Sequence, residues 1–245
     1  MTEVAFDKYQ VKGAYHWIEC FGPVHRLNAY TIGRYAMVRQ ALVGHVANGD
    51  RILDVGCGDA ALTGILVQQL GAIADGVDTT ALSIDLAREQ FAKRHLSGTF
   101  QTIDGYVYPF GDATFRAVVC SDVIEHVQQP DHMLREMWRV LAPGGILVVT
   151  TPIRYTEQPL DRMHVQEWFP DQFKEFCSGV LGAPASVRQS HPVALAELYA
   201  SASPRIGRLS RLLFNALTKL GRNPFEATRG FRAFSTQTMI ARKPA

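Results

Sequence analysis

Asp122-Val-Ile-Glu125-His126 sets two carboxylates and an imidazole close together in sequence, and His164 adds a second imidazole in Met163-His-Val-Gln-Glu-Trp-Phe-Pro170. An acid, a Glu, a His and a distant His form an O,O,N,N donor set. If Asp122, Glu125, His126 and His164 converge, that set suits Mg²⁺, Mn²⁺, Fe²⁺ or Zn²⁺. The same residues can do simpler chemistry. An unperturbed imidazole titrates near pH 6.5, so His126 or His164 can serve as a general base, with Glu125 orienting one of them. The metal reading requires four side chains to meet. The base reading requires one.

A second chemistry is written into Arg51-Ile-Leu-Asp54-Val-Gly56-Cys57-Gly58-Asp59. An apolar run stops at two glycines, and Leu62, Ile65, Leu66 and Leu70 then fall on one helical face. This is a strand, a tight turn and a helix over 60–70. Glycine accepts φ > 0 and lets a ligand approach the backbone, and the helix aims unpaired N–H groups above the strand. The next strand, Ile73–Asp78, ends in an acid 20 residues after Gly58. A carboxylate there can accept both hydroxyls of a ribose. Thr79 and Thr80 are expected to cap the helix that follows. Asp75 is readable as a surface acid.

Further elements must position these groups. Strands are expected at 100–103, 116–120 and 146–150. Helices are expected at 28–46, 130–141 and 171–180, with Pro143-Gly144-Gly145 breaking the second. A sixth strand falls within 182–193 and a last one at 235–242. Alternating strands and helices imply an α/β, doubly wound and mostly parallel sheet with ligands at the strand C-termini.

The 245 residues, 47% hydrophobic and 20% charged, fit one sizeable domain with an elaboration. A net charge of +2 excludes a strong polyanion binder. Cys20, Cys57, Cys120 and Cys177 lack C-x-x-C spacing, which argues against a zinc ribbon or disulfide framework. With no apolar leader core and no apolar run of roughly 20 residues, a cytoplasmic protein is expected.

Taken together, Asp54-Val-Gly-Cys-Gly58, Gly76-Val-Asp78, Asp104 before Tyr-x-Pro-Phe110, Cys-Ser-Asp-Val-Ile-Glu-His126 and Arg139-Val-Leu-Ala-Pro-Gly-Gly145 resemble the class I S-adenosylmethionine-dependent methyltransferases. The resemblance covers about 45–180 plus the closing strand, and it implies a seven-stranded Rossmann-like sheet. It also implies roles. Asp54 and the Gly56-Cys57-Gly58 turn would hold the cofactor's amino acid end, and Asp78 with Thr79 its ribose. Asp104, Gly105 and Tyr106 would form the adenine pocket, and Ser121 would lie beside the methionine moiety. The acid–histidine set is similar to the metal site of ubiquinone-pathway O-methyltransferases and small-RNA 2′-O-methyltransferases, with Asp122 in place of their usual first Glu. A nicotinamide enzyme would show G-x-G-x-x-G, and here position 61 is Ala. The expectation is methyl transfer to a hydroxyl of a small molecule or glycan. N-methylation of a small-molecule amine and a non-catalytic cofactor-binding regulator stand as alternatives.

Two segments stay open. Residues 1–45, with Phe6, Tyr9, Tyr15, Trp17, Phe21 and Tyr30, form either a brace on the core or a lid over a pocket. Within an insertion at about 194–230, residues 205–222 combine leucines with Arg205, Arg208, Arg211, Lys219 and Arg222 as a basic amphipathic helix. It can cap the pocket or form a homodimer contact, the preferred reading. It can instead rest on a membrane surface or receive a phosphate-bearing substrate. One short basic helix without a stacking motif argues against a nucleic-acid substrate.

Overall fold

The computed structural model describes residues 8–157, 159 and 161–245; Phe6 lies outside them. Three helices lead: α1 (Lys8–Lys12), α2 (Tyr15–Phe21) and α3 (Ala29–Leu42). The alternating core follows as β1 (Arg51–Val55), α4 (Ala61–Leu70), β2 (Ile73–Asp78), α5 (Ala81–Lys93), β3 (Gly98–Thr102), β4 (Phe115–Ser121), α6 (Pro130–Val140) and β5 (Leu141–Pro152). Then come α7 (Pro170–Leu181), β6 (Ala185–Pro192), α8 (Val193–Tyr199), α9 (Pro204–Lys219) and β7 (Phe234–Arg242).

The sheet order is β3-β2-β1-β4-β5-β7-β6. Strands β1 to β5 pair in parallel, and β7 runs antiparallel to both β5 and β6. The central strands are buried on both faces, with side chains alternating between two cores. Leu53, Val118, Cys120, Leu147 and Val149 face α6 and α7. Ile52, Ala117, Val119, Ile146 and Val148 face α3, α4 and α5. After β1 the chain winds outward to β2 and β3, then returns to place β4 on the other flank of β1. A crevice therefore opens at the C-terminal ends of β1 and β4, the switch point of the sheet.

Three local expectations are corrected. Pro143-Gly144-Gly145 does not separate helix from strand. Strand β5 begins at Leu141, and the pairing with β4 shifts register between Phe115 and Ala117, absorbing the glycines as an irregularity. The side chain of Thr80 makes no cap bond on α5; Asp78 Oδ1 accepts from the Thr80 N–H at 2.9 Å instead. Asp75 is no surface acid, being buried and paired with Arg51 at 2.7 Å.

The leading helices pack as a brace: Trp17 and Tyr35 are buried against α4 and the sheet. The insertion packs on this brace in turn. Asn215 of α9 donates to the carbonyls of Val24 (2.9 Å) and Leu27 (2.7 Å). Its Oδ1 accepts from the Ala29 N–H (3.1 Å) and the Tyr199 hydroxyl (2.9 Å). Every hydrogen-bonding position of the amide is used. Asn215→Ala strands several buried partners at once. It is expected to cost on the order of 3 kcal/mol, read as a lower urea midpoint with an unchanged m-value.

Candidate functional site

At the end of β1, Gly56 and Cys57 both donate N–H to the Val77 carbonyl, at 2.8 and 3.0 Å. These bonds turn the chain sharply at φ +71° for Gly56 and +55° for Gly58. Neither glycine can carry a side chain. A Cβ on Gly56 would lie 2.3 Å from a Val123 methyl, and one on Gly58 would lie 2.0 Å from the Tyr9 hydroxyl. The turn is thus pressed between the β4 loop and the N-terminal arm. The Cys57 thiol is buried, and burial pushes its pKa well up.

Asp78, at the end of β2, accepts from Gly58 N–H at 3.0 Å through Oδ2 and from Thr80 N–H through Oδ1. The Thr80 and Ser83 side chains also bond to this carboxylate. Burial raises the carboxyl's pKa. Thr79 is exposed beside it. Ile103 donates to the Asp78 carbonyl at 3.0 Å, so Asp104 and Gly105, both exposed, follow directly beyond. Tyr106 is half-buried, its hydroxyl accepting from Gln129 N–H at 3.1 Å. Asp78, Asp104 and Tyr106 therefore line one continuous edge of the crevice.

Asp54, just before the turn, is held by α4. Its carboxylate is buried and accepts from the Thr63 hydroxyl at 2.5 Å, bracing the first turn of α4. Burial, with Asp78 adding to it, pushes its pKa up to about 7.

At the end of β4, the Ser121 hydroxyl meets the Thr150 hydroxyl at 2.8 Å. Asp122 follows at φ +53°. The structure separates Asp122 from the expected donor set: its carboxylate is paired with Arg34 of α3 and accepts from Thr150. The other three residues do converge. Ligand atoms of Glu125, His126 and His164 lie within 4.8 Å of one another. Main-chain bonds hold His164 there, because Val165 N–H donates to the Glu125 carbonyl at 2.8 Å. His126 Nδ1–H donates to the Met163 carbonyl at 2.9 Å, leaving Nε2 open. His164 Nδ1 meets Glu167 Oε1 at 2.6 Å. Glu125 is buried; Oε2 accepts from Thr151 at 3.1 Å, while Oε1 has no partner among the described residues. Burial, reinforced by Asp122, pushes the Glu125 carboxyl well above the usual range. Burial lowers the His126 pKa, keeping the ring neutral at pH 7.

Several partners carry no signal in the sequence. Arg34 and Tyr9 belong to no motif, and only the fold brings them to the crevice. Asp59 is the buried hub of the arm, with its carboxylate on His16 at 3.0 and 3.2 Å and its carbonyl accepting from Trp17 Nε1 at 2.6 Å. Glu167 was findable, since His164-x-x-Glu167 places an acid one turn from the imidazole.

Residues 53–149, from inside β1 to near the end of β5, match the family model described as a methyltransferase domain. That stretch is similar to the class I S-adenosylmethionine-dependent methyltransferases. The chain is 30% identical over 129 residues to a ubiquinone biosynthesis O-methyltransferase of Coxiella burnetii, covering 53% of this chain and 52% of that one. It is 30% identical over 106 residues to the methyltransferase GfsG of Streptomyces halstedii, covering 42% and 38%. The chain therefore spans about half the length of the first of these curated relatives and less of the second. Its fold is similar to that of a Haemonchus contortus phosphoethanolamine N-methyltransferase in complex with S-adenosylmethionine, with a TM-score of 0.68 and 19% identity over 98% of this chain and 59% of that one. At that identity the likeness concerns the seven-stranded Rossmann-like sheet alone.

The Asp54 carboxyl gives the protein a pH signature. Unfolded, it ionises near 3.8; folded and without cofactor, near 7. Its contribution to stability is intact below the lower value and is lost as pH rises through the higher one. Asp54→Asn removes that loss. It is expected to stabilise the cofactor-free protein at pH 8 by up to about 4 kcal/mol, with little gain at pH 4, measured by urea unfolding at both pH values. Equal gains at both would show that ionisation of Asp54 is not the cause.

Proposed function

We propose that this methyltransferase moves a methyl group from S-adenosylmethionine to a hydroxyl of a small molecule. The observation that carries this reading is the convergence of Glu125, His126 and His164 at the mouth of the switch-point crevice, beside the glycine turn. A nitrogen acceptor needs neither a cation nor much help from a base, whereas a hydroxyl must lose its proton during transfer. The Coxiella relative, named as an O-methyltransferase, supports the same choice.

In this reading the Gly56–Gly58 turn and Asp54 take the amino acid end of the cofactor, and Asp78 takes the ribose hydroxyls through its two oriented oxygens. Thr79 flanks the ribose. Asp104, Gly105 and Tyr106 receive the adenine, and Ser121 flanks the methionine moiety. When bound, S-adenosylmethionine supplies a methyl already activated on a sulfonium. What the chain contributes is alignment of the acceptor oxygen, worth several kcal/mol and up to about 7–11 in model systems.

The three converging side chains fit a divalent cation. Glu125 Oε1 is buried and unpartnered, and both imidazoles bind a carbonyl or carboxylate through one nitrogen, as ligand histidines do. Glu125, His126 and His164 would hold the ion, which would supply a Lewis acid for the acceptor hydroxyl. Asp122, committed to Arg34, would act on the ion only through its charge. A second reading rests on the neutral His126: its open Nε2 takes the hydroxyl proton directly, with the Met163 carbonyl fixing the ring.

Three measurements test this. Titration with S-adenosylhomocysteine should give saturable binding, and Asp78→Ala should weaken it about tenfold or more; no binding by the native chain at millimolar ligand would sink the cofactor reading. Metal analysis with a chelator separates the two chemical readings. Loss of turnover in EDTA, restored by a divalent ion, supports the cation, and full turnover in EDTA leaves His126 as base. In the base reading, His126→Ala should lower kcat about 100-fold while cofactor binding stays unchanged.

A further inference from the structure

The packing of α9 is the reverse of what its composition suggests. Its buried residues are Gly207, Ser210, Phe214 and Asn215, which seat it on α8 and on the segment before α3. Gly207 is held close, since a Cβ there would lie 2.5 Å from the Ser201 carbonyl oxygen. With the helix fixed by these residues, its leucines face outward. Ile206, Leu209 and Leu213, spaced as one helical stripe, are all exposed, with Leu209 at 69%. Leu220 continues the stripe past the helix end at 76%, and Leu212 flanks it.

Beside the stripe, Arg205, Arg208 and Arg211 form a row at three-residue spacing, extended by Lys219, and all four are exposed. Among the described residues none of them is in an ion pair. Helix α9 contains no acidic residue, and the sole acid between 201 and 232, Glu226, is held by Gln40 at 2.6 Å. This pattern discriminates between occupants. A second copy docked on the same patch would cover the leucines but bring no counter-charge to the arginines, because an isologous interface is built from the same patch twice and α9 has no acid. A nucleic acid would match the arginines but leave the leucines without an apolar partner. An anionic lipid surface satisfies both: acyl chains accept the leucine stripe while headgroup phosphates meet the arginines.

We propose that α9 docks this enzyme on an anionic membrane surface, with Ile206, Leu209, Leu213 and Leu220 entering the acyl boundary and Arg205, Arg208 and Arg211 pairing with headgroups. The enzyme lies on the surface and does not span it, since no helix among the described residues is long and apolar enough to cross a membrane. The inference stands apart from the choice of acceptor. It does bear on access: α9 is bonded through Asn215 to the segment leading into α3, and α3 carries Arg34 to Asp122 at the crevice.

Cosedimentation with phosphatidylcholine vesicles, with and without phosphatidylglycerol, tests it on the full chain. The protein should partition onto the anionic vesicles and be released by high salt. Leu209→Glu/Leu213→Glu should weaken partitioning about tenfold or more, as should Arg205→Glu/Arg208→Glu. These positions are exposed and are none of the residues proposed to hold the cofactor, so melting temperature and S-adenosylhomocysteine binding should stay at native values. The proposal is overturned if the native chain stays in the supernatant, binds neutral vesicles equally well, or loses nothing in the leucine variant. It is also overturned if sedimentation velocity shows a native dimer that the leucine variant splits, or if duplex oligonucleotide outcompetes the vesicles.

Discussion

Gly56 and Val123 stand so close that one β-carbon more would overlap them. That approach is the constraint on which the rest of the structure depends. It exists because β1 and β4 are neighbours while the chain leaves them in opposite directions, so the two loops that follow must share one small space. One loop forms the glycine turn, proposed here for a cofactor's amino acid end. The other carries the acid–histidine group. Holding them together sets reacting groups side by side, and alignment is the main thing a protein adds when the transferred group arrives already activated.

The same space concentrates buried charge. Asp54, Asp78, Glu125 and Arg34 all lie where burial penalises ionisation, with Asp122 beside them, yet each is treated differently. Asp78 is steadied by two backbone N–H groups, Asp54 by one hydroxyl, and Asp122 by a guanidinium. Glu125 keeps one oxygen with no partner at all among the described residues. An unsatisfied buried acceptor costs stability, and its persistence beside two oriented imidazoles is the strongest local pointer to chemistry at this place.

Around this centre the chain builds outward in dependent layers. The arm is pinned to the turn through Asp59, which holds His16 and Trp17, and Tyr9 closes over Gly58. Within this arm Trp17 packs as core while the Tyr9 hydroxyl lies against Gly58. The insertion is pinned to the arm through Asn215. Each layer is fastened by a few buried polar side chains with filled hydrogen-bonding capacity, which fix one geometry where apolar packing alone would tolerate several.

What the sequence determined by itself is what depends on neighbours along the chain. Period-two and helical patterns located the strands and helices, and the two glycines and Asp78 located the turn after β1 and the end of β2, because turn geometry and strand ends are local. His126 and Glu125 were legible for the same reason. Tertiary structure decided the rest. It drew His164 to Glu125 through a main-chain bond and diverted Asp122 to Arg34, a partner far away in the sequence. It also turned the stripe of α9 outward, because Asn215 and Gly207 seat the helix by hydrogen bonds and close backbone contact. The spacing of leucines and arginines along α9 shows that the helix has two faces; which face is buried depends on the partner's shape and polar groups, which lie elsewhere in the chain.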